Sequence, residues 1–243
     1  MTTAHGRCNV LQTMTAHRLA PAAAVFIALA AFATSSCDSW YYKTMKKFGM
    51  EKRDILVKRV KDARESQQEA KDEFKTAIER FKSVVDVNGG ALEDKYEKLN
   101  KELNRSEERA QKVRDRIDSV RSVSNDLFDE WGKELKQYSD RSLRAESERE
   151  LKATRERCEI LIRSMERAQR RIEPVLKPLR DRVLFLKHNL NAQAIGALNA
   201  ELSTVRTNVD ALVADLDAAI AEADQFVASM AVADESETRD KKD

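Results

Sequence analysis

The sequence predicts an all-α protein, an elongated antiparallel bundle of about four long helices with coiled-coil heptads. Three observations predict it. Apolar or small residues recur at alternating steps of four and three from Leu56 through Val60, Ala63, Gln67, Ala70, Phe74, Ala77 and Phe81 to Val84, the seam of a helix that needs a partner. The same spacing returns in three later stretches. Turn-formers are scarce, with 6 Gly and 3 Pro in 243 residues, against an average usage of about 12% for the pair.

Composition narrows the class further. Charged residues make up 35% and aromatics 6% of the chain, which suits exposed helices joined by short connections. A hydrophobic fraction of 42%, regularly spaced, is too high for a disordered chain. The formal net charge of +2 comes from Arg7 and Arg18, because the residues after 36 hold 42 basic and 42 acidic side chains. A duplex-binding domain needs a net basic face, so the neutral remainder argues against nucleic acid as a partner.

Residues 1–36 read as a signal peptide of the lipoprotein type. Arg18 precedes Leu19 to Ala33, fifteen residues without a charge. That is short of the ~20 needed to span a bilayer and fits the apolar region of an export signal. Met14 is an alternative start that keeps this leader whole. Two processing outcomes compete. Ala31-Phe32-Ala33 is an A-x-A cleavage site, whereas Thr34-Ser35-Ser36-Cys37 resembles a bacterial lipobox with Thr34 where Leu is usual. The small residues at 35 and 36 and the cysteine that follows favour lipidation, which makes Cys37 the candidate lipid attachment site.

A membrane-proximal stem, residues 37–50, follows. Trp40, Tyr41 and Tyr42 are aromatics with one apolar and one polar end, suited to a membrane interface. Lys43, Lys46 and Lys47 begin a run of seven basic residues between 40 and 60, against Glu51 and Asp54. Anionic headgroups attract such a patch by about 1 kcal/mol per charge. The aromatics would equally serve to cap the open end of the bundle. Asp38 resembles the residue that retains lipoproteins in the inner membrane of enteric-type bacteria; that rule differs between bacterial groups, so the inner or outer membrane stays open.

The helical domain is expected over 51–230. Its first helix runs from about Glu51 to Val87, a rod of about 54 Å at 1.5 Å per residue, and Asn88-Gly89-Gly90 stops it. So short a turn makes the second helix, Ala91 to Tyr138, an antiparallel neighbour. That helix's seam runs from Leu92 and Tyr96 to Leu127, Trp131, Leu135 and Tyr138, with a shift in the repeat near Gly132. The third begins at Ser139-Asp140-Arg141-Ser142, with Ser142 or Ser139 as its cap, and its seam runs from Leu151 through Cys158 to Leu190. Pro174 and Pro178 predict a kink or a short break, and the uninterrupted apolar register favours the kink. His188 to Asn191 is the last turn, with Asn191 as N-cap of a fourth helix whose seam runs from Leu198 to Met230. Residues 192–230 hold six acids and only Arg206, while Arg163 to Arg182 holds seven bases and three acids. This asymmetry predicts which faces pair. Residues 231–243 lack a pattern and read as a disordered tail.

Several stretches resemble an uncharacterised bacterial family, the domain of unknown function 2959. They are CDSWYYKTMKKFGMEKRDILVKRVKDARESQQEAKDEF from Cys37, GGALEDKYEKLN from Gly89, FDEWGKELKQYS from Phe128 and LKHNLNA from Leu186. The resemblance implies an exported, mostly helical protein and supplies no functional residues.

Signs of chemistry are few. His5 and His17 lie in the leader, which leaves His188 alone beside a turn. Metal-ligand spacing, a glycine-rich phosphate loop and a nucleophile elbow are all missing, so the sequence points to no metal, no cofactor and no catalysis. Cys158 falls on a seam, where a thiol behaves as a small apolar residue. Gln67 is a polar seam residue that either sets register or marks an opening where a partner's helix docks. The expectation is a periplasm-facing, lipid-anchored envelope protein acting as a scaffold or adaptor for a protein the sequence does not name. Homo-oligomerisation through the heptad seams is a further expectation. The rivals are a lipid-binding coiled coil that assembles on membranes in envelope stress, and a soluble periplasmic helical binding protein.

Overall fold

Four amphipathic stripes bury one another most completely when each helix runs antiparallel to the two beside it. In the computed structural model, which describes residues 52–86 and 91–240, the chain takes this solution. The helices are α1 (Lys52–Asp86), α2 (Leu92–Glu134), α3 (Arg141–His188) and α4 (Ala192–Asp240). A 3-10 turn, Leu135–Gln137, closes α2. Each helix packs on its sequence neighbours, and α1 also packs on α4, which closes the ring. Along every interface, residue numbers rise on one helix as they fall on the other. Lys52 meets Glu130 and Arg80 meets Glu102 between α1 and α2; Arg171 meets Asp215 and Arg182 meets Glu201 between α3 and α4.

The seam residues fill the centre. Leu56, Val60, Phe81, Leu99, Val113, Leu161, Met165, Leu198, Leu212 and Leu216 are fully buried. Each such side chain is worth about 1.5–3 kcal/mol when removed from water, so the stripes rather than helix propensity hold the bundle together. Departures from the expected seam are local. Near the end of α1, Val85 is buried and Val84 is half-exposed. In α2 the shift in the repeat comes earlier than Gly132. Val120, Ser124 and Phe128 follow at two consecutive steps of four, so Phe128 enters the core while Leu127 and Trp131 are only half-buried. Leu190, expected on the third seam, lies beyond α3 and is 44% exposed.

Helix ends follow local chemistry. Asp140, not Ser139 or Ser142, caps α3: its carboxylate accepts from the Ser142 and Leu143 amides at 2.7 and 3.2 Å. A carboxylate beside a helix N-terminus also meets the positive end of the dipole, which a hydroxyl does not. Asn191 caps α4 as expected, its Oδ1 accepting from the Ala194 amide at 2.9 Å. Pro174 and Pro178 do not break α3, which is helical throughout Arg141–His188. The missing amide of Pro178 leaves the Pro174 carbonyl without its helical partner, and Asn208 Nδ2 of α4 donates to that carbonyl at 3.2 Å. Helical backbone also continues in α4 from Ala231 to Asp240, where the sequence suggested a patternless tail. No helix among the described residues is long and apolar enough to cross a membrane.

Candidate functional site

Every sequence-derived site residue lies outside the described residues: Cys37, Trp40, Tyr41, Tyr42, Lys43, Lys46 and Lys47. So do the leader with Met14, the stem, and the turn at Asn88 to Gly90. What the structure describes in detail is the charged surface of the bundle.

Charged residues flank each buried stripe because heptad positions beside the seam face the neighbouring helix across solvent. The acidic character of α4 is used in this way. Asp215 and Glu201 pair with Arg171 and Arg182 of α3 at 2.8 and 3.3 Å, and Asp217 and Asp224 pair with Lys71 and Arg64 of α1 at 2.7 and 2.8 Å. Arg206, the one base between residues 192 and 230, meets Glu79 at 3.4 Å. α4 thus closes the ring by meeting basic positions on both neighbours; the charge asymmetry pointed to those on α3, and the pairs with α1 lie beyond it. Exposed pairs of this sort contribute little to stability, about 0.2–1 kcal/mol each, and act mainly on which faces meet.

Three clusters were not legible as sites in the sequence. Glu69 of α1 receives both Arg109 and Lys112 of α2, each at 2.6 Å. The Lys112 hydrogen bond, then the charges of Lys112, Arg109 and Arg116, hold its carboxyl below the usual glutamate range against partial desolvation. Asp62 lies near Lys58, Arg59 and Arg116. Arg180 of α3 spans Glu107 of α2 at 2.7 Å and Glu173 at 3.0 Å, and these hydrogen bonds push its pKa further up. Between α2 and α3, Arg121 pairs with Glu166. These are cross-helix braces, and their i to i+3 or i+4 companions are the only trace they leave in the sequence.

The buried polar side chains are few. Gln67 is fully buried, and neither its Nε2 nor its Oε1 has a hydrogen-bond partner; the hydroxyls of Ser66 and Ser106 are stranded in the same way. Cys158 sits in the core at 1% exposure. Burial, with Glu159 adding to it and a Ser124 hydrogen bond opposing it, pushes its thiol up to about 11, so it is protonated at neutral pH and behaves as an apolar residue. His188 is exposed in the last turn of α3. A groove along α2 passes Tyr96, Asn100 and Asn104, polar but without a nucleophile beside a base. Among the described residues, no group of three or more His, Cys, Asp or Glu side chains is placed to hold a metal ion.

No curated protein matches the chain in sequence. The family model described as "Protein of unknown function (DUF2959)" matches residues 41–230, a span that begins among the stem aromatics and ends at Met230, a buried residue of α4. The chain belongs to this family of proteins of unknown function, DUF2959.

Proposed function

We propose that the protein is a bacterial envelope lipoprotein, tethered through Cys37 and facing the periplasm, whose helical bundle works without catalysis as a structural scaffold or protein-interaction adaptor. One observation carries this reading: the uncharged run Leu19 to Ala33 gives way to small residues and then to Cys37, the order an exported and acylated chain requires. Trp40, Tyr41 and Tyr42 with Lys43, Lys46 and Lys47 then fall where a tethered chain meets the headgroups. The adaptor role draws on the bundle. Some of its described carboxylates brace helix against helix, and its core is filled by aliphatic and aromatic side chains. What remains for a partner is a set of long charged faces.

The test is fractionation of cells that make the protein with and without Cys37→Ser. The intact chain should be released from membranes by detergent alone, and the variant should move to the soluble periplasmic fraction. An intact chain that is already soluble, or a variant that fractionates as its parent does, would contradict the reading.

A further inference from the structure

The connection between α2 and α3 carries a combination of residues that bundle packing does not use. Tyr138 and Leu143 are 43% and 54% exposed, in a hairpin tip where every residue from Lys136 to Glu146 is exposed. Around them stand Lys133, Lys136, Arg141 and Arg144, all exposed. The acids of the same stretch are Glu134, Asp140 and Glu146, and the Asp140 carboxylate is already engaged at the N-terminus of α3. The tip is braced rather than loose. Trp131 Nε1 donates to Ser147 Oγ at 2.8 Å, tying the end of α2 to the start of α3, and the Arg155 guanidinium lies 5.2 Å from the Phe128 ring centroid.

Position adds to composition. Lys52, the first described residue of α1, pairs with Glu130 of α2 at 2.9 Å. The hairpin tip therefore lies at the end of the bundle where α1 starts, and α2 and its 3-10 turn run seven residues past the level of that pair. An exposed tyrosine and leucine ringed by cations are matched by the headgroup layer of an anionic bilayer. The rings and methyls enter the boundary region, and the lysine and arginine heads remain among the phosphates.

We propose that the α2–α3 hairpin tip is a second membrane contact, in which Tyr138 and Leu143 enter an anionic headgroup layer and Lys133, Lys136, Arg141 and Arg144 hold it. The inference rests on the tethered reading above and gives the bundle a fixed footing on the bilayer. Each cation near such a surface is worth about 1 kcal/mol, or roughly fivefold in partitioning, so removing all four should weaken the contact by a factor in the hundreds.

The experiment places a polarity-sensitive fluorophore on Ser139→Cys of the full chain, with Asn191→Cys at the other end of the bundle as the comparison. Each is reconstituted in vesicles of phosphatidylcholine with and without phosphatidylglycerol. The label at 139 should shift to shorter wavelength and be shielded from an aqueous quencher only where phosphatidylglycerol is present. High salt should reverse the shift, and the label at 191 should not respond. Replacing Lys133, Lys136, Arg141 and Arg144 together by Gln should abolish it while circular dichroism stays unchanged. Sedimentation of the same samples separates the two ideas. A chain that stays with the vesicles while its label at 139 remains open to the quencher, or a fourfold variant that shifts as its parent does, overturns the tip contact and leaves the tether standing. A shift at 139 in a chain that sediments identically with and without Cys37→Ser supports the tip contact and removes the tether.

Discussion

Replacing Gln67 by methionine should stabilise the bundle. The residue is fully buried, and both polar atoms of its amide lack a partner. Along α1 it lies between two residues that pair with α2: Asp62 with Arg116 at 3.9 Å, and Glu69 with Lys112 at 2.6 Å. A buried polar group left unsatisfied costs about 1–3 kcal/mol, and two such atoms are stranded here. Methionine has nearly the same length and no group to desolvate, so the lower bound for each atom gives a gain of about 2 kcal/mol for Gln67→Met. A domain of this size shifts its midpoint by about 2–4 °C per kcal/mol, which places the increase in Tm near 4–8 °C. Urea unfolding followed by circular dichroism measures it, and an unchanged m-value would show that the unfolding reaction is the same. A variant that is no more stable than the parent would refute the reasoning.

Three further outcomes follow from the geometry. Asn208→Ala should cost about 0.5–1 kcal/mol in the natural chain, but close to nothing in a Pro178→Ala background, where the restored amide satisfies the Pro174 carbonyl; equal costs in the two backgrounds would exclude the cross-helix cap. Glu69 has a depressed folded pKa, so its contribution is present above the ordinary value of 4.5 and disappears as pH falls through the folded value. Glu69→Gln should therefore lower stability by up to about 1 kcal/mol at neutral pH, given its partial exposure, and the gap to the parent should close in acid unfolding titrations. Cys158 has the opposite sign. Its folded thiol is raised from 9.0 to about 11, so its contribution is full below 9.0 and is lost as pH rises through that window. Cys158→Ala should show a shallower alkaline loss than the parent, by up to about 2 kcal/mol, in thermal scans across the same range.

Much of the fold was legible because its signal is periodic. Four stripes at steps of three and four gave the four helices, and the short turns between them dictated antiparallel neighbours. The acidic fourth helix also pointed to the basic stretch of α3, which Asp215 and Glu201 meet, but not to the α1 bases that Asp217 and Asp224 meet. What was missed depends on geometry that periodicity does not encode. A heptad template puts Leu127 and Trp131 in the core, and only the observed packing shows that α2 has turned enough to bury Phe128 instead. Serine and aspartate are comparable caps by residue type, so the choice of Asp140 emerges from where the backbone bends. The prolines pointed to a kink or a short break because their lost hydrogen bonds are local, whereas Asn208, which offsets one of them, lies 34 residues away. Cys37 and the aromatic and basic residues after it lie outside the described residues, and their role stands on the order of residue types along the chain.

The central claim is therefore tested most directly at residue 37. Mass spectrometry of the N-terminal peptide from protein extracted from membranes should find Cys37 as the first residue, carrying a diacylglyceryl thioether and an acylated amine. A chain that begins at Thr34 with an unmodified Cys37 would contradict the account and leave the bundle without its tether.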